Sequence, residues 1–370
     1  MTKPLLPPAT IGIVGGGQLG RMLAQSAKQM GYTVGVLDPT PQAPAGQVAD
    51  FQIQAEYEDV DALMQLAKRS DVLTYEFENV DLDALTQAKQ YAALPQGTEL
   101  LRITRQRITE KTFLRDHGIP TANFAAVPDA QSLAVAIETV GYPAILKTTT
   151  GGYDGHGQQD LNSPADLPAG EALASKAPCI LEQRKTFSRE LSVMVTQDGN
   201  NQVRIFSVVE NRHANHILHT TIAPTPNLSA ELQTQIDQLA TTIAKALNLR
   251  GVLGIELFET AEGIVVNELA PRPHNSGHYS IEACNFSQFD AHILSICSLP
   301  IAPIKLQTPA VMRNLLGDDL TKARAAWSKH PEWHFHDYGK AEIRPARKMG
   351  HITVSEGSDL LKAVQLEGDK

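Results

Sequence analysis

Two glutamates stand where glutamates are least expected. Val252-Leu-Gly-Ile-Glu-Leu-Phe258 and Ile264-Val-Val-Asn-Glu-Leu269 read as apolar strands joined at Thr260-Ala-Glu-Gly263. A hairpin centred on Glu262 sets Glu256 opposite Glu268, with Cβ atoms about 5 Å apart. Like charges so placed repel, and the flanking Val, Ile, Leu and Phe argue against full exposure to water. A cation would offset the repulsion. Two all-oxygen ligands beside a phosphate site suit Mg²⁺, and Asn267 adds a further oxygen. The alternative is a solvated edge hairpin whose charges face water.

A phosphate site is written nearby in sequence order. Gly151-Gly-Tyr-Asp-Gly-His-Gly157 follows Lys147, which ends an apolar strand. Such a loop can fold its N–H groups over phosphates while the lysine supplies a compact charge. It is not a P-loop, because the G-x-x-x-x-G-K-[ST] spacing is missing. The other reading is a hairpin loop with a surface lysine. After the carboxylates comes Ala270-Pro-Arg-Pro-His-Asn-Ser-Gly-His278. There Arg272 offers a permanently charged planar fork for an anion, and His274 is a candidate general base. Lys340, Arg344, Arg347, Lys348 and His351 form a basic cluster in the tail, suited to a ribose phosphate or to a solvated face. His213, His216 and His219 are spaced by three in a strand-like stretch, so they alternate faces and do not converge on zinc.

Gly15, Gly17 and Gly20 fit G-x-G-x-x-G between a strand and a helix, and Asp38 ends the next strand. That is the dinucleotide fingerprint, but alone it states only that a tight turn or a phosphate is present. A phosphate-bearing ligand other than a nicotinamide is favoured, and Asp38-Pro39 also reads as a plain strand end.

These residues need a frame. Thr10 to Val14, Gln18 to Met30, Thr33 to Leu37, Val60 to Lys68, Val72 to Tyr75 and Leu82 to Gln90 alternate strand and helix patterns, implying a parallel sheet covered by helices. A second unit begins after the helix Arg107 to His117. It holds strands at Phe124 to Val127, Ala144 to Lys147, Cys179 to Leu181, Leu191 to Val195 and Val203 to Val209. Its amphipathic helix is Ser229 to Asn248. A small mixed tail follows Pro300. At 370 residues the chain has room for two or three domains. Its net charge of −9 gives no general attraction to nucleic acid or anionic lipid. No apolar run is long enough for a membrane span, and no signal peptide is recognisable at Met1 to Pro8, so a cytoplasmic protein is expected. The three cysteines, odd in number and far apart, are expected to be buried hydrophobes.

Taken in order, five motifs resemble the ATP-grasp superfamily and, within it, the N5-carboxyaminoimidazole ribonucleotide synthetases. They are Gly15 to Met22, Tyr75-Glu-Phe-Glu-Asn-Val80, Gly151 to Gln158, Asn267 to His278, and Arg347-Lys-Met-Gly-His351. The resemblance spans nearly the whole chain. It implies α/β and α+β architecture: a Rossmann-like domain over 1–110, a two-lobed ATP-grasp over 111–300 and a small mixed domain over 301–370. Within the ATP-grasp, 111–188 would be the lid-bearing lobe and 189–300 the metal and catalytic lobe.

The resemblance also implies roles. Arg107, Lys147, Gly152, Tyr153, Asp154, Gly155, His156, Gly157 and Gln158 would meet ATP, with Glu182, Lys185, Glu190, His213, Asn267 and Glu268. Glu256 and Glu268 would carry Mg²⁺. Arg272, His274, Lys340, Tyr153 and Asp154 look catalytic, while Gln18, Glu76, Asn275, Lys340, Arg347 and Lys348 look substrate-binding. The implied reaction is ATP-dependent carboxylation of 5-aminoimidazole ribonucleotide by bicarbonate through carboxyphosphate, in purine biosynthesis. It needs neither biotin nor NAD, and family members are commonly homodimers. A formate-dependent phosphoribosylglycinamide transformylase is the nearest alternative. A nicotinamide oxidoreductase leaves Glu256, Glu268 and the second glycine loop without a task.

One position departs from the family pattern: His156 stands where Arg or Lys is usual. A charge lost near neutrality would weaken phosphate binding. The Michaelis constant for ATP is therefore expected to rise above pH 7; a flat profile matching that of His156→Lys would count against this.

Overall fold

The computed structural model describes residues 3–151 and 157–366. The first sheet is four parallel strands in the order Phe51–Ile53, Thr33–Leu37, Thr10–Val14, Val72–Tyr75. Parallel neighbours need crossovers, and helices supply most of them. Gln18–Gln29 packs Leu19, Met22 and Leu23 on Ile11, Ile13 and Val34. Val60–Lys68 covers the other face, with Leu63 and Leu66 against Val14 and Leu73. Asp59 and Asp81 cap Val60–Lys68 and Leu82–Ala88 by accepting N–H bonds from Ala62 and Ala84. The strand order reverses between Thr10–Val14 and Val72–Tyr75, so their carboxyl ends flank the crevice where such sheets bind ligands. Close packing there requires a glycine, since a Cβ at Gly20 would lie 2.4 Å from the Gly15 carbonyl oxygen.

A second sheet is antiparallel: Phe124–Val127, Cys179–Gln183, Ala144–Thr148, Gln158–Leu161. Helices Leu133–Val140 and Leu167–Ala174 share its core.

The third sheet has nine strands among the described residues. Its main path runs Gly263–Ala270, Val252–Thr260, Arg189–Gln197, Val209–Ala214, Ile217–Ala223, Ala310–Leu316, Lys348–Val354, His334–Asp337, with Val203–Ile205 also paired to Arg189–Gln197. Helix Ala230–Ala246 begins at Ser229, whose hydroxyl accepts the Leu232 N–H. It buries Ile236, Leu239 and Ile243 against Val193, Leu253 and Ile255, as its apolar periodicity predicts. The C-terminal strands thus keep their own core around Leu315, Met349 and Ile352 while pairing edge-on with the central lobe. The cysteines are free and buried. Among the described residues no helix is long and apolar enough to cross a membrane.

Candidate active site

Glu256 does face Glu268 across the hairpin, though not for the reason the sequence suggests. The turn is two residues long, with Thr260 paired to Gly263, so its centre precedes Glu262. Regular pairing continues to Leu257 and Val266 and would set Asn267 opposite Glu256. A bulge at this point leaves Asn267 as the extra residue and restores the carboxylate pair. Asn267 then turns its amide Nδ2 to donate to Glu256 Oε2 at 3.2 Å.

Each carboxylate has a different nitrogen partner. His274 Nε2 lies 3.0 Å from Glu256 Oε1, and Arg107 Nη1 lies 3.3 Å from Glu268 Oε2. Burial alone would raise Glu256, but the His274 hydrogen bond and charge, with His213 and Asn267, outweigh it and hold this carboxyl below the ordinary range. Glu268 moves upward, first through its deep position and then through the charge of Glu256, against Arg107. Its side chain is nonetheless 42% exposed, because it faces a water-accessible cavity inside the molecule. An uneven pair of this kind fits a divalent cation, which would favour the ionised form of both groups. The oxygen donors match Mg²⁺, which uses one or two carboxylates together with phosphates and water.

The cavity encloses about 800 Å³ between the three sheets. Gln18, at the start of helix Gln18–Gln29, and Glu76, just beyond strand Val72–Tyr75, line it from the side of the first sheet. From the antiparallel sheet and the helix before it come Arg107, Lys147, Gly157 and Gln158. The nine-stranded sheet supplies Glu190, His213, Glu256, Asn267, Glu268 and Lys348, and the loop after it supplies Arg272, His274 and Asn275. His213 pairs through Nδ1 with Glu190 at 3.0 Å. Burial would lower this imidazole, but the Glu190 contact outweighs it and raises it.

Four expected residues stand back from the lining. Glu182 is buried behind Lys147, 3.1 Å from its Nζ and 3.9 Å from that of Lys111. Lys185 is 3.8 Å from Glu262 at the hairpin turn. Lys340 Nζ donates to the Lys348 carbonyl at 2.6 Å, and Arg347 Nη1 to that of Glu342 at 3.0 Å. Gly152, Tyr153, Asp154, Gly155 and His156 lie outside the described residues.

The first glycine loop is held by the protein's own carboxylates. Gly16 N–H donates to Asp38 Oδ2 and Gly17 N–H to Glu76 Oε1, each at 2.7 Å, and Tyr57 also donates to Asp38 at 2.6 Å. In a nicotinamide site those amides face a pyrophosphate and the acid faces a ribose. Here both are engaged with each other, so the fingerprint marks a braced turn beside the cavity.

Several residues escape a reading by motif. Glu110 and Lys111 are almost fully buried in Arg107–Asp116. Glu110 accepts the Leu269 N–H at 3.2 Å, and burial pushes its carboxyl up to about 8. Lys111 Nζ donates to the Asn267 carbonyl at 2.5 Å. Their signal was available: both share the inward face of that helix with Leu114. Ser276 sits 2.8 Å from His274 Nδ1 and 2.6 Å from Ser192 Oγ, which accepts from Asn211 Nδ2. Glu78, in the Tyr75 to Val80 motif, meets Arg272 Nε at 2.7 Å. No spacing rule links those partners.

Three family models match in chain order: a ribonucleotide synthetase preATP-grasp domain at 8–104, an ATP-grasp domain at 112–289, and a phosphoribosylaminoimidazole carboxylase C-terminal domain at 310–361. The chain is 46% identical over 355 residues to N5-carboxyaminoimidazole ribonucleotide synthase of Bacillus subtilis strain 168, covering 95% of this chain and 93% of that one. Among solved structures, N5-carboxyaminoimidazole synthetase of Staphylococcus aureus complexed with ADP superposes with a TM-score of 0.91 at 44% identity, covering 97% and 96% of the two chains. The Aspergillus clavatus enzyme in complex with ADP and 5-aminoimidazole ribonucleotide gives 0.89 at 33% identity, covering 96% and 95%.

Proposed function

The chain belongs to the N5-carboxyaminoimidazole ribonucleotide synthase family of ATP-grasp ligases, and from that premise we propose how its own residues divide the work. It is an ATP-dependent carboxylate-amine ligase that carboxylates 5-aminoimidazole ribonucleotide in purine biosynthesis. The facing Glu256 and Glu268, on a cavity shared with Lys147, Arg107 and Arg272, are the observation that carries this reading. Bound Mg²⁺, held by these two carboxylates, would neutralise charge on the transferring phosphoryl group.

Lys147 and Arg107 position the phosphates for in-line attack by bicarbonate. Arg272 then holds the resulting carboxyphosphate beside the substrate amine. His274 acts on Glu256. The tautomer that satisfies its contacts accepts at Nδ1 from Ser276 and carries the proton on Nε2, aimed at Glu256. That favours an orienting role over that of general base. Glu182, Glu190, His213 and Lys185 serve the nucleotide end, with Tyr153, Asp154 and the rest of the second glycine loop. Gln18, Glu76, Asn275, Arg347 and Lys348 serve the ribonucleotide. The enzyme works in the cytoplasm as a homodimer, and sedimentation of the purified protein checks the dimer.

Lys340 is assigned to the ribonucleotide phosphate. Burial, then the charges of Arg347 and Lys348, lowers its pKa to about 8 against an opposing pull from Glu76. It is therefore charged at pH 7 and loses that charge above pH 8. The Michaelis constant for the ribonucleotide should rise as pH passes 8, and Lys340→Arg should hold it level to roughly pH 9.5, because guanidinium does not titrate there. If Lys340→Arg shows the same rise, another group titrates.

Phosphate release from MgATP tests the whole assignment. Release should require both aminoimidazole ribonucleotide and bicarbonate. Release only with glycinamide ribonucleotide and formate would overturn it in favour of the transformylase reaction.

A further inference from the structure

Arg272 is not anchored by its own lobe alone. Its Nε lies 2.7 Å from Glu78 Oε1, and Nη1 donates back to the Pro273 carbonyl at 3.3 Å. Glu78 comes from the far side of the cavity, just beyond Val72–Tyr75 of the parallel sheet. Both side chains are partly buried, at 26% and 31% exposure. Two residues earlier, Glu76 braces Gly17, and Phe77 between them stacks on Tyr57 with ring centroids 4.2 Å apart. The tripeptide is therefore pinned at its first two side chains, and the third reaches across to the guanidinium.

We propose that Glu78 is a positioning residue for the carboxylation step: it occupies the Nε edge of Arg272, so that an anion is met only through the Nη groups. A guanidinium can grip a carboxylate through its Nε side or through its two Nη ends. With the Nε–H taken, one presentation remains, and bicarbonate or carboxyphosphate is held in one orientation relative to the amine. Glu78 also links the substrate-loop side of the cavity to the anion side, because Glu76 and Glu78 leave the same strand. The inference rests on Arg272 being the anion-holding residue, as proposed above.

Steady-state kinetics with each substrate varied in turn provide the test. Glu78→Ala should lower kcat/KM for bicarbonate by about 10²-fold, the scale of a small misplacement at a reacting centre. KM for ATP should stay within about twofold of its original value, since uniform binding of ATP is untouched. Glu78→Gln keeps an oxygen for the Nε–H and should recover to within about fivefold. Glu78→Asp keeps the charge but not the reach and should resemble Ala. Glu78→Ala combined with Arg272→Ala should be no worse than Arg272→Ala alone, because the two act as one unit.

The inference is overturned if Asp outperforms Gln, if the loss falls equally on ATP, or if the paired defects multiply. Gln and Asp decide the matter even if the Ala variant does not fold. Normal bicarbonate kinetics in Arg272→Ala would instead overturn the underlying reading of Arg272. A defective Arg272→Ala beside a normal Glu78→Ala overturns the positioning role alone.

Discussion

Glu268→Gln is expected to reduce turnover by about 10² to 10³-fold, the range seen when one group that stabilises transition-state charge is lost. The amide keeps the size of the side chain and one oxygen, but removes the charge on which the proposed cation site rests. The fold should not suffer. Glu268 faces Glu256 across the hairpin, and that charge helps to push its carboxyl upward, so removing it relieves repulsion. The thermal midpoint should be unchanged or higher. Rate and midpoint measured on one preparation settle the matter: a loss below about tenfold would mean that the pair does not hold the metal for phosphoryl transfer.

Lys147→Met should fail in two separable ways. Glu182 is buried with its side chain 5% exposed, and it depends on Lys147 at 3.1 Å and Lys111 at 3.9 Å. Burial alone would raise this carboxyl, yet the two lysines outweigh it and hold it below its ordinary value. Its folded pKa is thus depressed, so its contribution is present above the unfolded carboxyl value and lost as pH falls through the folded one. Breaking a buried pair costs about 3 kcal/mol, at the low end of the usual range because Lys111 remains. The loss should be visible in urea at pH 7 and shrink in acid. Activity should drop by about 10² to 10³ through the lost phosphate contact. Adding Glu182→Gln should recover part of the stability, since the unpaired carboxylate is gone while Lys111 keeps its bonds to the Val266 and Asn267 carbonyls, and activity should stay low. Recovery of both, or of neither, would show that Lys147 has only one of these roles.

The sequence carried the frame of the molecule more fully than its contacts. Alternating strand and helix patterns up to Gln90 predict the parallel sheet because each crossover must bury one apolar stripe. The amphipathic helix after Ser229 is as plain. The carboxylate pair was legible because two acids in apolar strands are out of place, but the bulge at Asn267 that brings them together has no signature in residue type. Asp38, read as a plain strand end or the acid of a disfavoured dinucleotide fingerprint, accepts from Gly16 and Tyr57 and braces the loop, a contact that spacing does not reveal. Glu78 and Arg272, 194 positions apart, meet only because two separate sheets border one cavity. Residues 152–156, to which the resemblance gives roles in ATP binding, lie outside the described residues.

The nine-stranded sheet has a mechanical consequence. One continuous sheet, bulged beside Glu256, His213 and Leu316, runs from the strand bearing Glu268 to that bearing Lys348, so strand pairing sets the spacing between the proposed metal ligands and the proposed ribonucleotide residue. Lys147 and Glu182 ride on a different sheet that shares no strand with it. Lys147 and the Glu256–Glu268 pair are thus joined by packing and side-chain contacts rather than by strand pairing, and Lys111, bonded to the Asn267 carbonyl and 3.9 Å from Glu182, spans that seam. On the proposed assignment, strand pairing fixes the distance from the carboxylate pair to Lys348, whereas the distance from that pair to Lys147 depends on packing between two sheets.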